Sequence, residues 1–140
     1  NKYLVMALAV VLAWLLAGWK GAAITIGAIA VEQTFGEASK EIARRARPSR
    51  DLIAVVGNPS GYSFPSTFTT FIAVTFGTVT LLARRSSAKT APLVMAVAGS
   101  MIVIGWGARV ALGAHWPSDV VLTTVVCLVW VWAAIRAVRP

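Results

Sequence analysis

The chain has 140 residues, of which 58% are apolar and only 13% are charged. Soluble domains average about 45–50% apolar and about 25% charged residues, so this composition excludes an ordinary soluble domain, a disordered chain and a coiled coil. One cysteine and one histidine exclude a disulfide framework and any metal site built on several such side chains. The net charge of +8 first suggests nucleic acid. In a membrane protein, however, basic loops set orientation and basic clusters hold phosphates. We therefore expect an all-α integral membrane protein with no nucleic-acid partner.

Apolar stretches predict five membrane-spanning helices, because about 20 mostly apolar residues are needed to cross a bilayer. The second stretch carries ionisable residues from Glu32 onward, and such residues at membrane depth usually face the bundle interior or a polar cavity. The linker at residues 48–65 is rich in Pro, Gly, Ser and Asn, which predicts a loop. Short loops predict one transmembrane helix-bundle domain over residues 1–140. The predicted spans cover residues 3–19, 21–45, 66–83, 92–108 and 118–135.

The charges between the spans predict the orientation of the chain. Five spans place the chain ends on opposite sides, and the side without Asn1 receives six basic residues and no acidic ones. The side with Asn1 has seven basic residues, of which four remain if Lys40, Arg47 and Arg109 belong to a functional site. The positive-inside rule then predicts a multi-pass protein of the plasma or inner membrane, with the side of Asn1 extracytoplasmic. Because residue 1 is not Met, we also expect an upstream span before Asn1. The six basic residues are Lys20, Arg84, Arg85, Lys89, Arg136 and Arg139.

Polar residues with chemical potential cluster in three places, all predicted on the side of Asn1. The first cluster is KEIARRARP at residues 40–48, where Lys40 and Arg47 are seven residues apart, or two helical turns. A basic helix end that snorkels to the interface is the alternative. The second cluster is YSFPSTFTT at residues 62–70, where Pro65 precedes Ser and Thr at the start of an apolar run. This pattern predicts a helix N-terminus, whose backbone N–H groups bind anions, or simply a capped helix start.

The third cluster is RVALGAHWPSD at residues 109–119. Asp119 follows His115 by four residues, so its carboxylate is placed to accept a hydrogen bond from one imidazole nitrogen and to leave the other basic and nucleophilic. An interfacial histidine with a helix-capping aspartate is the alternative. Taken together, the cations, the helix N-terminus and the His–Asp pair predict phosphoryl chemistry through a histidine nucleophile, without a metal or other cofactor.

These clusters resemble the signature of the type 2 phosphatidic acid phosphatases, a family related to the vanadium haloperoxidases. The signature is Lys, six residues, Arg-Pro; then Pro-Ser-Gly-His; then Ser-Arg, five residues, His, three residues, Asp. The resemblance covers about residues 21–135, which is most of the chain. The matching residues are Lys40, Arg47 and Pro48; then Pro65, Ser66, Thr67 and Phe68; then Ala108, Arg109, His115 and Asp119.

The resemblance implies a six-helix bundle, of which this chain would hold five helices. It also implies that His115 attacks phosphorus and forms a phosphohistidine, while Asp119 orients His115. The substrate implied is a membrane lipid phosphate or a polyprenyl diphosphate within the bilayer, and the oligomeric state stays open. The groups that would bind the phosphate oxygens are the side chains of Lys40, Arg47 and Arg109, the backbone N–H groups around Ser66 and Thr67, and the Ser66 hydroxyl.

The main departure from the signature is Phe68, which occupies the place of the histidine that protonates the leaving oxygen. Phe cannot donate a proton, and general acid catalysis typically contributes about 10²–10⁴-fold. Its loss matters most for an alkoxide leaving group and less for a diphosphate, whose leaving group is a stabilised phosphate anion. We therefore expect a preference for polyprenyl diphosphates over phosphate monoesters. An introduced substitution, a water or Tyr62 acting as the acid, and loss of catalysis are the alternatives.

Two further functions remain open at this point. Phe68 is also compatible with a catalytically impaired relative that binds lipid phosphates. A basic cavity in a small membrane protein is also typical of a transporter or an assembly subunit that passes an anion.

Two other departures from the signature are milder than Phe68. Thr67 replaces Gly, which is acceptable if that residue keeps a negative φ. Ala108 replaces Ser, which removes one possible hydrogen bond.

Overall fold

The computed structural model describes residues 1–138, except for the side chains of residues 35–37. Helix α1 covers Lys2–Ala43, α2 covers Thr67–Ala83, α3 covers Ala91–Ala111 and α4 covers Pro117–Val138. Non-helical backbone angles at Ala17 and Gly18 interrupt α1, so the described chain contains five helical segments. The all-α class predicted from the sequence is confirmed.

The two halves of α1, residues 2–16 and 19–43, form an antiparallel hairpin. Lys2 Nζ donates a hydrogen bond to Gln33 Oε1 at 3.4 Å, although 31 residues separate them. In a continuous helix these residues would lie roughly 45 Å apart, at a rise of about 1.5 Å per residue. The turn uses Gly18 with φ 63° and ψ −158°, a conformation that glycine adopts readily because it has no Cβ. The separation between predicted spans 3–19 and 21–45 thus corresponds to this turn.

Three helices within residues 1–138 are long and apolar enough to cross a membrane, which indicates a membrane protein. They are Lys2–Thr34, Ala91–Ala111 and Pro117–Val138, and the hairpin turn lies within the first of them. The helix Thr67–Ala83 is apolar but shorter. The count of five spans therefore stays a prediction.

Helix α2 lies at the centre of the bundle and packs against the other three helices. It begins at Thr67 because the Ser66 hydroxyl oxygen accepts a hydrogen bond from the Thr69 N–H at 3.3 Å, which caps the helix. Small residues in α1 allow the helices to approach closely. One buried cluster joins α1, α2 and α4 through Ala13, Ile24, Ala28, Val74, Leu82, Val131 and Ile135. A smaller one joins α1, α2 and α3 through Ala9, Val79 and Ala98.

Helix α1 ends at Ala43, before the basic residues that precede Pro48. Arg44 adopts the left-handed conformation with φ 46°, and its N–H donates to the Lys40 carbonyl at 2.9 Å. The expected separation of Lys40 and Arg47 by two turns of one helix is therefore wrong. The left-handed Arg44 ends the helix, and Pro48 disfavours the helical conformation of Arg47, the residue before it. Arg47 consequently lies on the non-helical segment after α1.

The hairpin generates a stability prediction at Gly21, where an added Cβ would overlap the Ala13 carbonyl oxygen of the opposite leg. We expect Gly21→Ala to destabilise the protein by about 1–3 kcal/mol, the usual range for overpacking, as measured by thermal unfolding in detergent. Gly27→Ala is the matched control, because a Cβ there meets nothing within 4 Å. It should leave stability unchanged or raise it, since alanine favours helix. Equal stability of the two variants would contradict the hairpin.

Candidate active site

His115 lies in the turn between α3 and α4, and its side chain is buried. Its Nδ1 is 2.7 Å from the Ser63 carbonyl oxygen. A carbonyl only accepts hydrogen bonds, so Nδ1 carries the proton and Nε2 of the neutral ring presents a lone pair. The pKa of His115 is lowered from 6.5 to about 4. Burial is the main cause, the Ser63 carbonyl opposes it, Arg47 and Arg109 add to the lowering, and Asp119 opposes it. Near neutral pH, Nε2 is therefore an unprotonated nitrogen.

Arg47 places a fixed positive charge beside this nitrogen. Its Nη1 lies 3.4 Å from His115 Nε2 and donates to the Ala114 carbonyl at 2.6 Å. Its Nε and Nη2 donate to the carbonyls of Ser60 and Gly61 at 2.9–3.2 Å. These contacts hold the guanidinium where an anion approaching Nε2 would meet it.

Arg109 supplies a second cation, and Phe68 packs on it. The Arg109 guanidinium carbon lies 5.5 Å from the centre of the Phe68 ring, which is a cation–π distance. Phe68 lies in the first turn of α2 and is 42% exposed. Within the described part of the chain, the buried Arg109 Nε has no hydrogen-bond partner. The position expected to hold a general acid thus holds an aromatic ring against a cation.

Asp119 is fully buried, and it contacts His115 differently from the expectation based on the i,i+4 spacing. Its Oδ2 is 3.9 Å from His115 Nδ1, beyond hydrogen-bond distance. Oδ2 instead accepts from the Ser63 hydroxyl and from the Trp116 N–H, the latter at 3.0 Å. Oδ1 accepts from Arg45 Nη1 at 2.7 Å. Asp119 therefore also caps the N-terminus of α4, as the alternative interpretation of this residue expected.

The predicted phosphate-binding groups of the second cluster surround the start of α2. Ser66 is buried; its hydroxyl oxygen accepts from the Thr69 hydroxyl at 3.0 Å, and its N–H donates to Thr123 Oγ1 at 3.3 Å. Thr67 is the first residue of α2 and is half-buried.

Lys40, the predicted phosphate-binding residue of the first cluster, lies in the last turn of α1 and is half-buried. Among the described side chains, no three of His, Cys, Asp and Glu are grouped as they would be to hold a metal ion.

Two residues at this site were given no catalytic or phosphate-binding role by sequence reasoning. Arg45 forms an ion pair with Asp119 and donates from Nη2 to Ser118 Oγ at 3.0 Å. Ser63 contacts both His115 and Asp119. In a non-helical, extended segment, residues two apart point to the same face, so Arg45 and Arg47 form a recognisable pair. That signal is hidden when the segment is predicted to be helical.

Gly113 fixes the turn that carries His115. Its φ is 66°, and an added Cβ would overlap the Ala54 carbonyl oxygen, so glycine satisfies both backbone and space. The Val56 N–H donates to the Leu112 carbonyl at 3.0 Å, which holds the long loop against the turn. The loop before α2 therefore helps to position His115.

Comparison with known proteins places this arrangement in a family. A family model described as the PAP2 superfamily matches residues 3–140. The chain belongs to the PAP2 superfamily. This confirms the resemblance drawn from the three motifs. Members of the PAP2 superfamily are phosphoesterases, so membership indicates phosphatase-type activity and a hydrolase. No curated protein and no solved structure matches the chain.

The burial of His115 in this PAP2 chain predicts its titration, which is measurable because the sequence contains one histidine. In protein carrying a histidine-free affinity tag, we expect the ¹⁵N signals of the imidazole to titrate near pH 4 rather than 6.5. Arg47→Gln should raise this pKa, because it removes a cation beside Nε2. Arg50→Gln is the control, since Arg50 is exposed and donates to the Gly57 carbonyl. A midpoint at or above 6.5 would contradict the buried, neutral ring.

The same shift has a consequence for stability. The unfolded chain protonates His115 near pH 6.5, while the folded chain does so only near pH 4. Between these values the unfolded state binds more protons, so the His115 contribution makes the folded state less stable as the pH falls from 6.5 towards 4. His115→Gln should remove this part of the pH dependence in thermal unfolding.

Proposed function

We propose that this PAP2 chain is an integral membrane phosphatase that hydrolyses a polyprenyl diphosphate, or a related lipid phosphate, through a phosphohistidine on His115. The observation that carries the proposal is the orientation of the imidazole. Its Nδ1–H is donated to the Ser63 carbonyl, so the lone pair of Nε2 lies beside the Arg47 guanidinium at 3.4 Å. A neutral imidazole is a nucleophile, and the adjacent cation stabilises negative charge on phosphoryl oxygens.

The reaction takes two steps. In the first, His115 Nε2 attacks the terminal phosphorus and forms an N–P bond. The bond from that phosphorus to the bridging oxygen breaks, and its electron pair leaves with the lipid phosphate. In the second, water attacks the phosphorus, the N–P bond breaks with its electron pair returning to Nε2, and both protons of the water leave on the released phosphate. The products are inorganic phosphate and a lipid monophosphate. Throughout, Nδ1 keeps its proton and its hydrogen bond to the Ser63 carbonyl.

The phosphate oxygens are bound by the cations and by the start of α2. Arg47 lies beside the nucleophile, and Arg109 has a buried Nε that takes no partner from the described protein. The first N–H groups of α2 lie at the positive end of the helix dipole, which favours anions. The Ser66 N–H, which the sequence predicted to bind phosphate, donates instead to Thr123 Oγ1. Lys40, at the end of α1, adds a third cation. An anion can thus be held on several sides at once.

The substrate class follows from Phe68. A phosphate monoester must expel an alkoxide, which needs a proton, whereas a diphosphate expels a phosphate that is already stable as an anion. Phe68 packs on Arg109 and has no proton to give. The site therefore suits a leaving group that departs without acid help, and a polyprenyl diphosphate provides one.

We also place the active site on the extracytoplasmic face of the plasma or inner membrane. Helix α2 begins at the site and ends at Ala83, so the basic turn after it, with Arg84 and Arg85, lies at the opposite end of the bundle. Basic turns favour the cytoplasmic side. With Lys40, Arg47 and Arg109 assigned to the site, four basic residues remain on its side against six on the other in the sequence, which supports this orientation.

The first test measures phosphate release by purified protein in detergent from undecaprenyl diphosphate, phosphatidic acid and phosphatidylglycerol phosphate. We expect release from the diphosphate to exceed release from the two monoesters and to vanish in His115→Ala. The proposal fails on substrate class if phosphatidic acid is hydrolysed at least as fast as the diphosphate. It fails on mechanism if His115→Ala retains activity.

A second prediction isolates the missing acid. Phe68→His should raise monoester hydrolysis by up to about 10²–10⁴-fold, the usual contribution of a general acid, and should change diphosphate hydrolysis far less. Phe71→His is the matched control, because Phe71 lies one turn further along α2 with its ring centre 6.4 Å from that of Phe68. Equal gains for monoester and diphosphate would contradict the leaving-group argument.

Phe68 also favours a second candidate, a relative that binds lipid phosphates without hydrolysing them. Under this alternative, neither the unmodified chain nor Phe68→His releases phosphate, and a lipid diphosphate binds with a dependence on Arg47. Movement of an anion across liposomes without phosphate release would instead identify a transporter.

A further inference from the structure

We infer that Ser63 and Arg45 are positioning residues for His115, and that the Ser63 carbonyl, rather than Asp119, is the acceptor that fixes the imidazole tautomer. The role in catalysis rests on the proposed function. The geometric part stands on contacts among four residues and can be measured without any substrate.

Ser63 is fully buried and has a partner for each of its polar groups. Its N–H donates to the Arg45 carbonyl at 2.7 Å, and its carbonyl accepts from His115 Nδ1 at 2.7 Å. Its hydroxyl donates to Asp119 Oδ2. One residue thus joins the segment after α1, the loop before α2 and the turn between α3 and α4.

Arg45 closes this arrangement into a ring. Its carbonyl accepts from Ser63, Ser63 donates to Asp119, and Asp119 accepts from Arg45 Nη1 at 2.7 Å. The hydrogen bonds of the Ser63 N–H and of the Ser63 hydroxyl therefore fix the position of the Ser63 carbonyl. Asp119 Oδ2 lies 3.9 Å from His115 Nδ1. Nδ1 cannot donate to Oδ2 instead of the Ser63 carbonyl without breaking the ring.

The charges around the ring predict the direction of each perturbation. The charges that act on His115 are Asp119 from α4, Arg109 from α3 and Arg47 from the segment after α1. Arg45, from the same segment, acts through its ion pair with Asp119. Loss of Arg45 leaves the Asp119 carboxylate without its cation, and the unpaired negative charge favours protonated imidazole. Loss of the Ser63 hydroxyl frees Oδ2 to compete for Nδ1–H, which also favours protonated imidazole. Both changes should raise the pKa of His115.

The test uses ¹⁵N imidazole spectra of the full chain in detergent, with a histidine-free tag. We expect the unmodified protein to show neutral His115 protonated at Nδ1. Arg45→Gln and Ser63→Ala should each raise the titration midpoint, on the order of one pH unit for Arg45→Gln. Arg45→Lys keeps the positive charge beside Asp119, so its titration midpoint should stay close to that of the unmodified protein. Arg44→Gln removes the same charge one residue earlier, where the side chain donates to the Glu41 carbonyl, and should leave the midpoint unchanged.

Kinetics provide the second readout. In Arg45→Gln and Ser63→Ala, the acid limb of the pH profile should move with the NMR midpoint. We expect kcat to fall by about 10–100-fold with little change in KM, because a misplaced nucleophile lowers reactivity more than binding.

The outcomes separate this inference from the proposed function. Protonation at Nε2 in the neutral, unmodified protein overturns the inference without any variant. A midpoint that moves equally in Arg45→Gln and Arg44→Gln overturns it too. The expected tautomer and shifts without lipid hydrolysis support the positioning and defeat the phosphatase proposal. Lipid hydrolysis without these shifts supports the phosphatase proposal and overturns the positioning role of Ser63 and Arg45.

Discussion

The end of the bundle that holds the candidate site depends on one buried serine. Ser63 lies between three segments that are distant in sequence, and its N–H, carbonyl and hydroxyl bind Arg45, His115 and Asp119 respectively. Leaving one buried polar group without a partner destabilises the folded state by roughly 1–3 kcal/mol. Breaking any one of these three contacts is therefore unfavourable. This end of the fold therefore has a strong reason to adopt one arrangement, and that arrangement sets the direction of the imidazole.

Much of the fold could be predicted because apolar length and turn residues are local signals. The helices and the break between the first two follow from these signals, and so does the start of α2 at Thr67 after its cap Ser66. The end of α1 could not be placed as well, because the basic run before Pro48 is compatible with a helix until the proline is weighed. Arg45 and Ser63 were missed for a deeper reason. Arg45 reaches a partner 74 residues away, and no local pattern reports such a contact.

Asp119 shows how two local rules compete for one side chain. The i,i+4 spacing from His115 favours a direct bond to the ring, and the position three residues into α4 favours a bond to the Trp116 N–H. Pro117 starts α4 immediately after Trp116, so the capping geometry holds the carboxylate at the helix end. The imidazole then finds a backbone carbonyl instead. Sequence spacing identified the residues that meet, whereas helix geometry decided which atoms bind.

The charges of the candidate site favour an anion. Burial keeps His115 neutral near pH 7, so the ring offers no charge of its own to the nearby guanidinium groups. Arg45 has Asp119 as its counterion, whereas the Arg109 guanidinium lies against the face of the Phe68 ring. An aromatic ring stabilises a cation less than an opposite charge does. Under the proposed function, a phosphate group beside Nε2 supplies that charge at the atom that attacks it.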